Sequence, residues 1–179
     1  AVISMVTTSL SILHDSARNK IEYYTMKNYV ITIMSNPRSV NVAERCIKSG
    51  AKYGMDIEHF SAITPHNTDL NRMMKNEGID FDGFKEKYSR LSNCVAAFLS
   101  HYSLWKRAVD TNDTITIFEH DAVLVDQIPD VQFDQCISFG KPSYGRFNTP
   151  NQLGVGPLVS KPYFPGAHAY RVSPKGAEQ

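Results

Sequence analysis

The chain is 179 residues long, 42% hydrophobic, with 19 basic against 18 acidic residues and a formal net charge of +1. That length and composition suit one compact domain with its own core, since single domains commonly run to ~100–200 residues. The charge balance excludes a chain that works by bulk attraction to nucleic acid or an anionic membrane, and no run reaches the ~18 consecutive apolar residues of a membrane span.

Residues 1–28 show no clear periodicity and read as an N-terminal extension ahead of a domain over residues 29–179. Within them AVISMVTTSLSIL lacks a basic leader and is interrupted by Ser and Thr, so it does not read as a signal peptide. The cysteines, Cys46, Cys94 and Cys136, are odd in number with no CxxC pair, which supports neither a zinc ribbon nor a disulfide framework. Reduced thiols and the lack of a leader predict a cytoplasmic protein.

The first clear element is YVITIM, Tyr29 to Met34, a β-branched run expected as a buried strand. Asn36-Pro37 is expected to break the chain, with Ser39 capping a helix through Ala43, Cys46 and Ile47 and Gly50 as its left-handed stop. A second strand is expected over Asp56–Ala62. Helical pieces follow at Leu70–Glu77 and Phe81–Tyr88, separated by Gly78. From Ser92, the residues Cys94, Ala97, Phe98, His101, Leu104, Trp105 and Ala108 recur at three- and four-residue spacing, the apolar stripe of one long helix ended by Asn112-Asp113.

Thr114 to Phe118 (TITIF) predicts a further strand running straight into Glu119-His120-Asp121, and a weaker one is expected at Gln135–Phe139. Residues 140–166, rich in Gly, Pro, Ser and Asn, read as a long loop. Order resumes at Ala167–Val172, and Ser173-Pro174 has the form of an N-cap followed by proline at the first helical position. Alternating strands and helices predict an α/β fold with a mainly parallel sheet covered on both faces. Ligands of such sheets bind beyond the carboxyl ends of the strands. Ser35–Ser39, Ala62–Pro65, Glu119–Asp121 and Gly140 are therefore the places to look.

Glu119 and Asp121 follow an apolar strand at i and i+2, and both carboxylates can turn to one hard cation if the strand bends there. A solvated strand end accounts for the same pair, and the residues alone leave both readings open. His101 and Trp105, on the apolar stripe, read more simply as core residues, His101 bonded to a carbonyl. No P-loop, GxGxxG or triad spacing is present.

The segment CVAAFLSHYSLWKRAVDTNDTITIFEHDAVLV, Cys94 to Val125, resembles glycosyltransferase family 25, which includes lipooligosaccharide and collagen galactosyltransferases. That family pattern has Cys, Ser-His and Trp on a helix and then an apolar strand ending in Glu-Asp-Asp. DQCISFG, Asp134 to Gly140, and GAHAYRVSPKGAE, Gly166 to Glu178, are similar to two further family segments in the same order. The resemblance spans residues 29–178. It implies a GT-A-like nucleotide-diphospho-sugar transferase fold and transfer of a hexose, often galactose, from a donor such as a UDP-hexose to a glycan or other hydroxyl acceptor, as in lipopolysaccharide biosynthesis. It implies Mn²⁺ or Mg²⁺ held by Asp121 with Glu119, a donor site that includes Glu119, Arg38 and Ala62, and a cleft shaped by Ser100, His101 and Trp105. It assigns no catalytic base.

Three departures accompany it. His120 stands for the middle acid, Asn93 for a glycine, and Thr64 for an Asp in the turn after the second strand. The chain also stops where the family continues a helix, as expected of a C-terminally truncated relative. An alternative is therefore a chain that binds a nucleotide sugar, glycan or protein partner without turnover.

Overall fold

A computed structural model of the chain describes residues 26–85, 89–139 and 167–179. Strand β1 (Lys27–Thr32) leads into helix α1 (Pro37–Ala51), which returns to β2 (Glu58–Ser61). Helices α2 (Leu70–Asn76) and α3 (Leu91–Thr111) follow, with a 3-10 turn at Phe81–Gly83 between them. The chain then passes through β3 (Ile115–Glu119), β4 (Cys136–Ser138), β5 (Ala169–Val172) and the single turn α4 (Pro174–Ala177). Residues 1–25, 86–88 and 140–166 lie outside the described residues, and with them most of the expected extension, the end of the Phe81–Tyr88 piece and the expected loop. Lys27 and Asn28, read from sequence as extension, are the first residues of β1.

The fold is α/β, and its five strands form one sheet in the order β2-β1-β3-β5-β4. β1 pairs in parallel with β2 and β3, as expected. The other end departs from the mainly parallel expectation: β5 is antiparallel to both β3 and β4. A parallel return needs a crossover, usually a helix. The connections from β1 to β2 and from β2 to β3 run in opposite directions across the sheet. Right-handed crossovers therefore place α1 and α3 on opposite faces.

Two apolar clusters record that layering. On one face Val30, Phe118 and Ala169 pack with Ala43 and Cys46 of α1. On the other, Tyr29, Ile115, Ile117, Tyr170 and Val172 pack with Leu104 and Ala108 of α3. β3 is buried on both faces, which explains its run of apolar and β-branched residues; its buried Thr116 accepts from Arg171 Nε at 3.1 Å. A third cluster joins Val95, Ala96 and Leu99 of α3 to Leu70 and Met74 of α2. Among the described residues no helix is long and apolar enough to cross a membrane.

Local signals differ from expectation at both ends of α1. Pro37 occupies the first helical turn and Asn36 is the cap, its side chain accepting from the Arg38 amide at 3.0 Å. Asn-Pro thus opens the helix, because proline's missing N–H falls where no intrahelical bond is made. Ser39 is instead buried, its Oγ accepting from the Ile33 amide at 3.0 Å. Gly50 is not the left-handed stop; that conformation falls to Gly54, at φ 73°. Gly50 is a point of close approach, where a Cβ would collide with the side chain of Ile57. The expected endings at Gly78 (φ 67°) and Asn112 (φ 53°) do occur, both left-handed.

α4 is docked on β4 through polar contacts. Ser173 donates its hydroxyl to the Asp134 carbonyl at 2.7 Å and accepts from the Gly176 amide at 3.1 Å. A Cβ on Gly176 would stand 2.6 Å from the Gln135 carbonyl carbon, and backbone cannot move aside as a side chain can. Helix propensity alone would make Gly176→Ala stabilising by ~1 kcal/mol. The expected result is the reverse, a loss of about 1 kcal/mol or more from overpacking. Gly50→Ala should cost less than Gly176→Ala, since it meets the flexible end of Ile57. Denaturation midpoints of the two variants check this; a raised midpoint for Gly176→Ala would contradict the contact.

Candidate active site

β1 is flanked by β2 on one side and β3 on the other, so the chain reverses direction across the sheet at β1 and β3. A cleft of about 550 Å³ opens at the carboxyl ends of these strands, the position at which such sheets bind ligands. Its sides come from three strand exits: Ile33, Ser35 and Asn36 after β1, Ala62 to His66 after β2, and Glu119 to Asp121. The first half of α3 closes it with Asn93, Ala96, Ala97, Ser100 and His101. Three of the four segments singled out from sequence meet here; Gly140 lies outside the described residues.

Each wall has a local cause. The Ser100 hydroxyl donates to the Ala96 carbonyl at 2.9 Å and accepts from the Ile63 amide at 2.9 Å. That second bond fastens the segment after β2 to α3. Ala62 is held from both sides, its amide donating to the Thr32 carbonyl at 2.8 Å and its carbonyl accepting from the Asn67 side chain at 3.0 Å. Ser100 is thus a buried fastener of the cleft's rim.

His101 is half-buried and faces the cleft, but its bond is not to a carbonyl as the sequence reading had it. Nδ1 lies 2.8 Å from the Tyr170 hydroxyl, and the two rings stack at 5.7 Å with 24° between planes. Nε2 faces Oε1 of Glu119 at 3.8 Å, an electrostatic contact longer than a hydrogen bond. The His101 ring holds the Glu119 carboxyl below its ordinary range, with His168 and His120 adding to the effect and burial opposing it. Glu119 is therefore an anion on the cleft wall.

The strand does bend after Glu119, as a shared cation would require. The Ala122 amide donates to the Glu119 carbonyl at 3.0 Å, closing a turn with His120 and Asp121 at its corner. Asp121 is exposed at the cleft, and among the described residues no hydrogen bond or ion pair claims its carboxylate. Behind it, burial and the Asp121 charge push the Cys46 thiol up to about 12, so that thiol is inert. Val123 and Val125, which follow the acidic cluster, are exposed.

No three His, Cys, Asp or Glu side chains among the described residues form a group able to hold a metal by themselves. Mg²⁺ and Mn²⁺ commonly take only one or two carboxylates and complete their shell with phosphate and water. An exposed Asp121 beside an ionised Glu119 fits that donor set.

Two expected site residues do not line the cleft. Arg38 is exposed on the first turn of α1, two residues beyond the cleft-lining Asn36. Trp105 sits one turn along α3 from His101, packed against the sheet-side cluster, with Nε1 donating to the Tyr170 hydroxyl at 2.7 Å. It supports the cleft from behind because its ring is drawn into the core. Tyr170, to which the sequence reading gave no role, joins both. Its signal was a lone tyrosine in a short apolar strand, since a buried phenol requires a partner.

Ser100→Ala should leave the Ile63 amide without its acceptor and cost ~1–3 kcal/mol, the usual penalty for a buried unpaired donor. It should also raise protection-sensitive motion at residues 62–66, read by amide hydrogen exchange. Unchanged exchange there would show that Ser100 does not fasten the rim.

The family model described as glycosyltransferase family 25 (LPS biosynthesis protein) matches residues 25–141. That span contains β1 to β4 and every residue of the cleft. No curated protein gives a significant match to the chain. With well over half of its length inside the family match, the chain belongs to glycosyltransferase family 25.

Proposed function

We propose that the chain transfers a hexose, galactose first among the candidates, from a nucleotide-diphospho-sugar to a hydroxyl of a glycan or similar acceptor. The proposed donor is a UDP-hexose, bound in a GT-A arrangement with Mn²⁺ or Mg²⁺. The observation that carries this reading is the turn Glu119-His120-Asp121, which opens into a cleft next to the start of α1. Family membership supplies the class of reaction; donor, metal and acceptor are the reading's own.

The residues suggest a division of roles. The amino end of α1 carries a positive dipole, a favourable setting for a diphosphate. A bound divalent cation would neutralise charge building on the leaving diphosphate. Asp121, exposed and without a hydrogen-bond or ion-pair partner among the described residues, is the carboxylate that would hold that cation. Glu119, kept anionic by His101, suits donor hydroxyls, which it would accept as hydrogen bonds. Ala62, Ile63 and Pro65 with Ala96 and Ala97 form an apolar slot that fits a flat base. Arg38, outside the cleft in this state, would reach phosphate only by moving its long side chain. Absence of disulfides among Cys46, Cys94 and Cys136 agrees with work in a reducing compartment, the cytoplasm.

The test is calorimetric titration of UDP, UDP-galactose and UDP-glucose with Mn²⁺ and again with EDTA. Binding is expected to need the metal. Asp121→Ala should weaken it about tenfold or more, the cost of losing a charged ligand contact of ~1.5–3 kcal/mol. Its circular dichroism should not change, since Asp121 is exposed. Metal-independent affinity that survives Asp121→Ala would overturn the assignment. His120, in place of a third acid, favours the second reading of binding without turnover, which metal-dependent binding with no transfer to any acceptor would support.

A further inference from the structure

We infer that Asn93 reads the base of the donor nucleotide, its carboxamide pairing with the imide edge of uracil at the α3 wall of the cleft. The inference deepens the proposed donor site and rests on it.

Spacing along α3 creates the place for a base. Ser100 is pinned to the β2 exit, its hydroxyl accepting from the Ile63 amide at 2.9 Å. Asn93 lies seven residues earlier, two turns along the same face, which is about 10 Å at the helical rise. Between them the helix presents only Ala96 and Ala97 to the cleft. Two small side chains between two polar ones leave a bay, and Ala62, Ile63 and Pro65 line it from the β2 exit. A flat ring fits there, and its polar edge then needs partners, since a polar group withdrawn from water and left unpaired is costly.

The backbone of the β2 exit has no donor left to give. The Ala62 amide bonds the Thr32 carbonyl at 2.8 Å, the Ile63 amide the Ser100 hydroxyl, and the Thr64 amide the Asn67 side chain at 2.8 Å. The Ala62 carbonyl accepts from Asn67 Nδ2 at 3.0 Å, and the Thr64 carbonyl from the Thr68 amide at 3.1 Å. On α3, Ser100 spends its one proton on the Ala96 carbonyl. Asn93 differs. It is exposed, and among the described residues its carboxamide has no partner. It stands in the first turn of α3, where no side chain makes a capping bond. Asparagine is a modest helix former, so no local gain accounts for it there. It is also a position at which this chain departs from the glycine of the family pattern.

A primary amide carries an acceptor oxygen beside a donor nitrogen. With a UDP donor, the matching edge is the imide of uracil, N3–H beside O4, and one carboxamide makes both bonds in a plane.

The test is calorimetric titration of UDP and of N3-methyl-UDP, each with Mn²⁺, into the unaltered chain, Asn93→Ala and His66→Ala. Methylation removes the imide proton and blocks the pairing. In the unaltered chain the methylated nucleotide should bind about tenfold more weakly than UDP. Asn93→Ala should weaken UDP about three- to tenfold, and in that variant the two nucleotides should bind within about twofold of each other. His66→Ala, altered on the β2 side of the cleft, should keep the full methylation penalty. Asn93 is exposed and alanine is the better helix former, so the thermal midpoint of Asn93→Ala should not fall. A merely structural role for Asn93 would weaken both nucleotides alike and leave the penalty in place, which overturns the inference. So does unchanged UDP affinity in Asn93→Ala, the absence of a penalty in the unaltered chain, or a penalty that vanishes in His66→Ala instead. If the unaltered chain binds no UDP, the donor-site reading fails and takes this inference with it.

Discussion

Helix α3 is held between two apolar surfaces at once, and the cleft follows from that. Leu104 and Ala108 bind its second half to the sheet, while Val95, Ala96 and Leu99 bind its first half to α2. Leu99 and Leu104 are both fully buried. Each buried leucine contributes ~1.5–3 kcal/mol, against ~0.5–1.5 kcal/mol for a typical hydrogen bond. Packing therefore sets the rotation of the helix, and the polar contacts act on side chains already in place. With that rotation fixed, Ser100 and His101 emerge together at the cleft, and Trp105 turns inward one turn later.

A second regularity joins the helices to the strand exits. Three buried serines each accept a backbone amide near a strand exit: Ser39 from Ile33 just after β1, Ser100 from Ile63 just after β2, and Ser49 from Leu124, beyond the turn that follows β3. Strand ends release backbone donors that the ladder no longer pairs, and an unpaired buried donor is costly. A helix serine is small enough to sit in the packed layer and still supply an oxygen. The first two cleft-lining segments are thus anchored near their base and the third just past its turn, while Ser35, Pro65 and Asp121 stay exposed. That contrast gives an anchored rim with open tips.

How much of this was legible in the sequence depended on the range of the interaction concerned. β3 was legible because a strand buried on both faces is mostly apolar and β-branched. α3 was legible because its stripe repeats over 21 residues. The Glu119-His120-Asp121 turn was legible as a place, since it ends an apolar strand in an alternating pattern. The cap of α1 was misplaced by three residues, because Asn36 and Ser39 are both good caps and only the long-range demand of Ile33 for an acceptor separates them. Gly50 and Gly54 are equally permissive in sequence, and Ile57 decides which of them is crowded. The antiparallel end was not legible, since it depends on a connection without periodicity. Tyr170 was missed for the same reason, as its partner His101 lies 69 residues away.

The mixed sheet divides labour between its two ends. Parallel strands β1, β2 and β3 all release their carboxyl ends on one side, so their exits converge and can build a ligand face. An antiparallel neighbour presents its amino end there instead. β5 contributes Ala169 and Tyr170 beneath that face, and the His168 carbonyl accepts from the Glu119 amide at 3.0 Å. Glu119 is thus held at its backbone by the residue entering β5, and its carboxylate faces His101, whose Nδ1 lies 2.8 Å from the hydroxyl of Tyr170 in β5. A parallel fourth strand would place its exit there, adding another loop to the cleft but no support below it. The reversal of β5 is therefore the feature that lets a half-exposed acid keep one orientation at the mouth of an open site.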